Sequence, residues 1–227
     1  NRMTQKLAKL EEERAVMLAG ISHDLRTPLA RLRLETELSV SDGTAREHMS
    51  NDIAQLDAII NKFLDYARPD HVKFNPVALN PLIEQCLGSL RDRPELDLGM
   101  LLEPDLVVQA DAVELQRVIN NLIENAARYG KSVDTGVALV EVSARRMDSN
   151  VLLRVRDHGL GVPNNQLKQL TTPFFRGEAA RTAANGTGLG LAIVQKIVSR
   201  MDGTLELSNA DSGGLCANIR LQLAKTA

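Results

Sequence analysis

Five short segments of this chain combine residue types that chemistry needs. The first is Ser22-His23-Asp24-Leu25-Arg26-Thr27-Pro28-Leu29. A histidine that accepts a phosphoryl group needs one neutral ring nitrogen facing phosphorus and a partner for the proton on the other. Asp24 is adjacent and acidic, so it can orient the ring or take the proton. Pro28 has no N–H, so the Asp24 carbonyl loses its helical partner and the backbone beside His23 is loosened. A surface histidine near a proline kink fits the same residues.

The second segment is Asn121-Leu122-Ile123-Glu124-Asn125-Ala126-Ala127-Arg128-Tyr129-Gly130. Asn121, Asn125 and Arg128 are spaced four and three apart and share one helical face. Two amides there can offer oxygen ligands to a Mg²⁺ that keeps several waters. Arg128 can meet a phosphate, and Tyr129 can stack on a base. A polar helix face with an ordinary end at Gly130 is the plain alternative. In the third segment, Asp157-His158-Gly159-Leu160-Gly161, a carboxylate ends a strand. It can accept from an exocyclic amine such as that of adenine, while Gly159 and Gly161 let a ring pack on the backbone. A simple turn has the same pattern.

The fourth segment, Pro173-Phe174-Phe175-Arg176-Gly177, places two aromatic rings in a polar loop. The rings could anchor a lid while Arg176 reaches a phosphate; a plain hydrophobic anchor for a long loop explains the rings equally well, and Arg176 less well. The fifth is Gly186-Thr187-Gly188-Leu189-Gly190-Leu191, leading into a helix. Alternate glycines leave backbone N–H groups free for phosphate oxygens, and a helix N-terminus favours an anion. The spacing fits neither the Walker phosphate loop nor the dinucleotide fingerprint.

These segments need two kinds of scaffold. Met49, Ile53, Leu56, Ile60, Phe63 and Ala67 follow a heptad rhythm, as do Leu18, Ile21, Leu25 and Leu32. The turn-forming stretch 39–44 separates the two stripes. The pattern predicts an antiparallel helical hairpin over 1–68, ended near Arg68-Pro69-Asp70. A lone hairpin leaves two apolar stripes uncovered, so dimerisation into a four-helix bundle is expected. Residues 69–227 alternate short strands and helices. Strands are expected at 77–79, 106–109, 137–146, 151–157, 205–208 and 217–223, with helices at 81–90, 111–129 and 189–201. Between 163 and 186 a long loop with a short helix at its start suggests a lid. The fold class is thus α plus α/β, with a mixed sheet covered by helices.

Composition narrows the function. Apolar residues at 44% and charged residues at 25% describe a folded globular chain. A net charge of -2 argues against a general nucleic-acid binder. Cys86 and Cys216 stand in no metal-ligand spacing and read as reduced core residues. His48 and His71 read as solvent-facing, and His158 as a tolerated neighbour of the third segment. No run is long and apolar enough to span a membrane. The opening NRMTQKLAKLEEER lacks an initiator Met and reads as the start of a fragment.

In this order the five segments resemble the boxes of a sensor histidine kinase. SHDLRTPL resembles the phosphoacceptor box, NLIENAARYG the asparagine box, DHGLG the first glycine box, PFFRG the phenylalanine box and GTGLGL the second glycine box. The HDLRT version and the AARYG ending are most similar to the EnvZ-type osmosensor group. The resemblance implies a dimeric bundle carrying His23, followed by a GHKL-type α/β sandwich that binds ATP and Mg²⁺. It implies that Asn125 holds the metal, with Asn121 in support, and that Asp157 recognises adenine, with Gly159 and Gly161 beside it and Tyr129 flanking the ring. Arg128, Arg176, Thr187, Gly188, Leu189 and Gly190 then belong to the phosphate side. Thr27 matches a position linked to dephosphorylating a partner. Implied partners are a second copy and the receiver domain of a response regulator, and the implied location is the cytoplasmic portion of an inner-membrane sensor. His158 and Leu160 depart from the family pattern, as does Arg128 where many relatives carry Lys. A GHKL ATPase without a phosphoacceptor, or a nucleotide-free docking scaffold, remain the alternatives.

Overall fold

The computed structural model describes residues 2–67, 72–88, 90–132, 135–177 and 186–224; side chains are described from Met17 onward, except those of Ala19, Ser22 and His23. The chain divides into two compact units, Asn1–His71 and Val72–Ala227.

The first unit is a hairpin of α1 (Arg2–Ser39) and α2 (Gly43–Ala67). The turn between them ends on Asp42, whose Oδ1 accepts from Thr44 N at 2.8 Å and Ala45 N at 3.1 Å. That satisfies two of the donors a helix start leaves orphaned. Across the hairpin, Arg26 Nη2 donates to Asn61 Oδ1 at 2.7 Å, and Asn61 Nδ2 donates to Asp57 Oδ2 at 3.2 Å. Pro28 sits inside α1, which continues through it as one helix. The expected stop at Arg68-Pro69-Asp70 lies outside the described residues, as does His71.

The second unit is a two-layer α/β sandwich. Its elements are β1 (Asn75–Ala78), α3 (Leu79–Gly88), β2 (Leu96–Leu102), β3 (Val107–Ala110), α4 (Ala112–Tyr129), β4 (Ala138–Met147), β5 (Asn150–Asp157), α5 (Gly190–Arg200), β6 (Thr204–Asn209) and β7 (Leu215–Gln222). A five-stranded mixed sheet runs β2-β4-β5-β7-β6, and β1 pairs with β3 in a separate two-stranded sheet. Leu115, Ile119 and Ile123 of α4 and Ile193 and Ile197 of α5 are buried with the inward residues of the sheet, Val140, Val142, Leu153, Val155 and Ile219. Cys86 and Cys216 are free thiols in buried positions, and burial pushes the Cys86 thiol up to about 11.

Three expectations need correction. The sequence reading found no strand at 96–102, yet β2 runs there parallel to β4. It is an edge strand, and although Leu96, Leu98 and Met100 alternate with Asp97 and Gly99, Asp and Gly are depleted in strands and no β-branched or aromatic residue marks the segment. Leu79 begins α3 rather than ending a strand, since Pro81 fits a first helical turn whose N–H groups lack helical partners anyway. The short helix expected after 163 is a single 3-10 turn, Leu167–Gln169.

Candidate functional site

The site in the second unit forms where the ends of α4, β5 and β7 meet the start of α5. Asp111 caps α4, its Oδ1 accepting from Val113 N and Glu114 N, and its Oδ2 from Lys73 N. With that end fixed, helical periodicity brings Asn121 and Asn125 round to the start of α5. Asn121 is only 7% exposed, so the polar face expected at this position is largely covered. Its Nδ2 donates to Arg117 O at 2.8 Å. A Cβ on Gly190 would lie 3.2 Å from both amide atoms of Asn125 and 3.5 Å from Asn121 Oδ1. Glycine there keeps the first turn of α5 close to both amides without a side chain between them.

Asp157 ends β5 at 6% exposure. Its Oδ1 accepts from Gly159 N at 2.9 Å and Leu215 N at 3.1 Å. Burial raises its carboxyl pKa; the two N–H donors, His158 and Arg156 work in the other direction. The carboxyl faces a small pocket lined by Leu122, Asn125, Ala126, Val155, Leu191, Leu215 and Ala217. One acid in an otherwise apolar slot with an amide at its edge suits a flat ring that offers a donor. His158 Nε2 lies 3.3 Å from Glu141 Oε2, outside the pocket lining and without the alignment of a hydrogen bond.

The second glycine run sits beside the end of α4. A Cβ on Gly186 would meet Tyr129 Oη at 2.5 Å and Arg128 Nη1 at 3.4 Å, so both side chains border the run. Thr187 Oγ1 accepts from Leu189 N at 3.3 Å. Leu189 is fully buried. Gly188 has a φ of +68°, and its carbonyl accepts from Phe174 N at 2.9 Å, joining the phenylalanine segment to the glycine run. Arg176 is half-buried in that segment. Residues 178–185 of the expected lid lie outside the described residues.

In the helical unit, His23 lies within α1, and its side chain is outside the described residues. Asp24 and Thr27 are exposed and, with Pro28 and Arg31, line a hollow on the helix surface. His48 is exposed.

The sequence reading missed Leu191, Val155 and Ala217 as pocket lining, because apolar residues on regular elements look like any core. It also missed Leu215 and Asn209. The pair Gly213-Gly214 was the available signal: a Cβ on Gly214 would overlap the Asp157 carbonyl, so this turn must press directly on the third segment.

Residues 110–225 match the family described as histidine kinase-, DNA gyrase B-, and HSP90-like ATPase. Residues 13–72 match the His kinase A (phospho-acceptor) domain. The chain is 33% identical to the signal transduction histidine-protein kinase BaeS of Escherichia coli (strain K12), over 99% of this chain and 50% of that protein. It is also 33% identical to the sensor histidine kinase RcsC of the same strain, over 97% of this chain and 24% of RcsC. It therefore spans half or less of these relatives. The crystal structure of full-length ShkA in complex with AMPPNP superposes with a TM-score of 0.72 at 22% identity, covering 92% of this chain and 46% of that one. The Acinetobacter baumannii histidine kinase AdeS gives 0.64 at 22% identity, covering 89% and 98%. These two show the shared fold. With a phosphoacceptor domain followed by the ATPase domain, the chain belongs to the histidine kinases, in the histidine kinase-, DNA gyrase B-, and HSP90-like ATPase family.

Proposed function

We propose that this chain binds ATP with Mg²⁺ in the Asp157 pocket, phosphorylates His23, and passes the phosphoryl group to an aspartate of a response regulator's receiver domain. The observation that carries the reading is the convergence of Asp157, Asn125, Leu191 and Leu215 on one pocket beside the glycine run. Asp157 would accept from the adenine amine, with Gly159 and Gly161 shaping the turn beside the ring and Tyr129 at its edge. Arg128, Arg176 and Thr187, with the backbone at Gly188, Leu189 and Gly190, would meet the phosphates. Asn125 would hold Mg²⁺ with Asn121 in support; both amides flank Gly190, where the absent side chain leaves a cradle for a hydrated ion. When bound, the ion supplies charge neutralisation at the phosphates. Phosphoryl transfer is mainly positioning and electrostatics. A ring nitrogen of His23 forms a bond to the γ-phosphorus as the bond to the bridging oxygen breaks and ADP leaves. Asp24 takes or orients the proton on the other nitrogen.

Three finer readings accompany this. The exposed apolar stripes of the hairpin support a homodimeric four-helix bundle. Thr27, exposed beside Asp24, supports a phosphatase activity toward the phosphorylated regulator. The HDLRT and AARYG segments support the EnvZ-type group. Among the described residues no helix is long and apolar enough to cross a membrane. Because the relatives are at least twice as long, we read the chain as a cytoplasmic portion of an inner-membrane sensor.

The deciding experiment is labelling with γ-labelled ATP and Mg²⁺. The expected result is an acid-labile protein label that His23→Ala abolishes. ATP hydrolysis that His23→Ala leaves unchanged, with no protein label, would favour an ATPase without a phosphoacceptor. In a heterodimer of His23→Ala and Asn125→Ala chains, label on the Asn125→Ala chain means transfer between subunits; no label means transfer within one.

A further inference from the structure

Asn209 was singled out by no motif, yet its side chain makes three directed contacts. It is the last residue of β6 and is paired with Leu215 across the hairpin. Its Oδ1 accepts from Val162 N at 2.9 Å. Its Nδ2 donates to Val162 O at 2.6 Å and to Asn164 Oδ1 at 3.0 Å. One amide thus reads both backbone groups of one residue. Only one orientation of the amide works, because a flip would set donor against donor and acceptor against acceptor. Asp lacks the donor and Ser lacks the reach for both.

The same contact accounts for Gly161. That residue has a φ of +71°, and a Cβ there would lie 2.8 Å from Asn209 Oδ1. A side chain would carry the conformational strain of this region and push Asn209 off Val162. The requirement for glycine at 161 therefore comes from the clamp as well as from any bound ring.

From this point the clamp reaches the pocket along two routes. Leu215, the β-partner of Asn209, donates to the Asp157 carboxylate. In the other direction, turns bonded Gln166 N to Pro163 O, Gln169 N to Gln166 O, Thr172 N to Gln169 O and Phe175 N to Thr172 O carry the chain to Phe174. Phe174 N donates to Gly188 O in the second glycine run. The Asp157 carboxylate in the pocket and the second glycine run beside it are thereby referenced to one side chain.

We infer that Asn209 is a positioning residue for nucleotide binding: it clamps the root of the long loop at Val162 and so holds the Asp157 turn and the second glycine run in register. The inference rests on the nucleotide reading above. The test compares wild type with Asn209→Ala and Asn209→Asp. Amide hydrogen exchange is read at Val162 and along β4, β5 and β7, and KM and kcat for ATP are read from autophosphorylation. Losing two to three hydrogen bonds at a loop root is expected to raise KM for ATP about tenfold, with kcat within about threefold. Exchange should quicken at Val162 but stay unchanged in the sheet. Gly161→Ala should do less further harm in the Asn209→Ala background than in wild type, since the atom its methyl would strike has gone. Unchanged exchange at Val162, or faster exchange there with KM within twofold of wild type, would overturn the inference. So would a KM change matched by faster exchange throughout the sheet, which marks a merely structural role. A wild-type chain that binds no ATP overturns the nucleotide reading first and this inference with it.

Discussion

The helical unit and the catalytic unit solve burial in opposite ways. In the catalytic unit, Leu79, Ile83, Leu115, Ile119, Ile123, Leu153, Ile193 and Met201 are all fully buried within one chain. In the helical unit, the buried side chains among those described are Leu18 and Thr36, and α2 buries none. Ile21, Leu25, Leu32, Leu38, Met49 and Leu56 stay exposed, Leu38 to 77%. The catalytic unit holds its chemistry on a completed core. The helical unit holds it on half of one, and so makes the phosphoacceptor helix depend on whatever covers that face. A site that must recognise a nucleotide by shape needs a rigid frame. A helix that must offer one histidine to several partners does not.

The largest expected effect tests how closely the catalytic unit is packed. Gly214 has a φ of +87°, and a Cβ there would overlap the Asp157 backbone, which no side-chain rotation relieves. Gly214→Ala should cost more than about 4 kcal/mol, or else displace the Asp157 turn and abolish nucleotide binding. Chemical denaturation and ATP titration together check this. A variant that keeps both stability and affinity would refute the close contact.

Next come matched truncations in the two units. Leu153→Ala in β5 should lower unfolding stability by about 3 kcal/mol, whatever the protein concentration. Leu56 is 48% exposed in the single chain. If a second copy covers it, Leu56→Ala should cost about 1–2 kcal/mol where the paired form is populated, and the loss should shrink as the protein is diluted. Sedimentation and melting across a hundredfold concentration range would separate the cases. A Leu56→Ala effect that ignores concentration would break the comparison.

What the sequence made legible follows the same division. The heptad rhythm of α1 and α2 is a local, periodic signal, and it survives in the structure as a hairpin. The helix expected at 111–129 and its face carrying Asn125 were equally local. Long-range contacts were not legible. β2 is a parallel edge strand without β-branched or aromatic residues, and its pairing with β4 spans an intervening strand and helix. Leu215 contributes through its backbone N–H, which every residue type except proline possesses. Asn209 acts on Val162, 47 positions earlier, and nothing in its neighbours announces that. Motifs record residues whose side chains meet the ligand; they are silent on those that hold the frame.

Asp157 offers a prediction in which stability and function diverge. Burial raises its carboxyl pKa above the ordinary 3.8. The folded state thus holds the proton more tightly than the unfolded one. The stability from protonation is complete below the unfolded value and is lost as pH rises through the folded value. At neutral pH the ionised carboxylate therefore weakens the fold. Asp157→Asn keeps an oxygen for Gly159 N and Leu215 N but loses the charge. It should melt higher than wild type at pH 7, with the difference shrinking as pH falls toward 3.8. Nucleotide affinity should meanwhile drop at least about tenfold, since an amide accepts more weakly than a carboxylate. A melting series from neutral to acid pH, beside an ATP titration, checks both halves.

The smallest effect contrasts one ion pair from each unit. In α4, Arg117 Nη1 lies 2.7 Å from Glu114 Oε1, with the two side chains only 15% and 14% exposed. In α1, Arg31 Nε lies 4.0 Å from Glu35 Oε1, with the side chains 75% and 65% exposed. Solvent screens the second pair, and holding two long side chains together offsets most of its attraction. The first is partly shielded, and removing its carboxylate leaves a half-buried guanidinium short of one partner. Glu114→Gln should therefore cost about 1 kcal/mol, and Glu35→Gln no more than about 0.3 kcal/mol. Raising salt from 0.05 to about 1 M should erase the smaller effect and only reduce the larger. Equal costs at both positions would mean that the face of α1 around Glu35 is covered as fully as that of α4, so that the proposed dimer contact extends further round the hairpin than its apolar stripe.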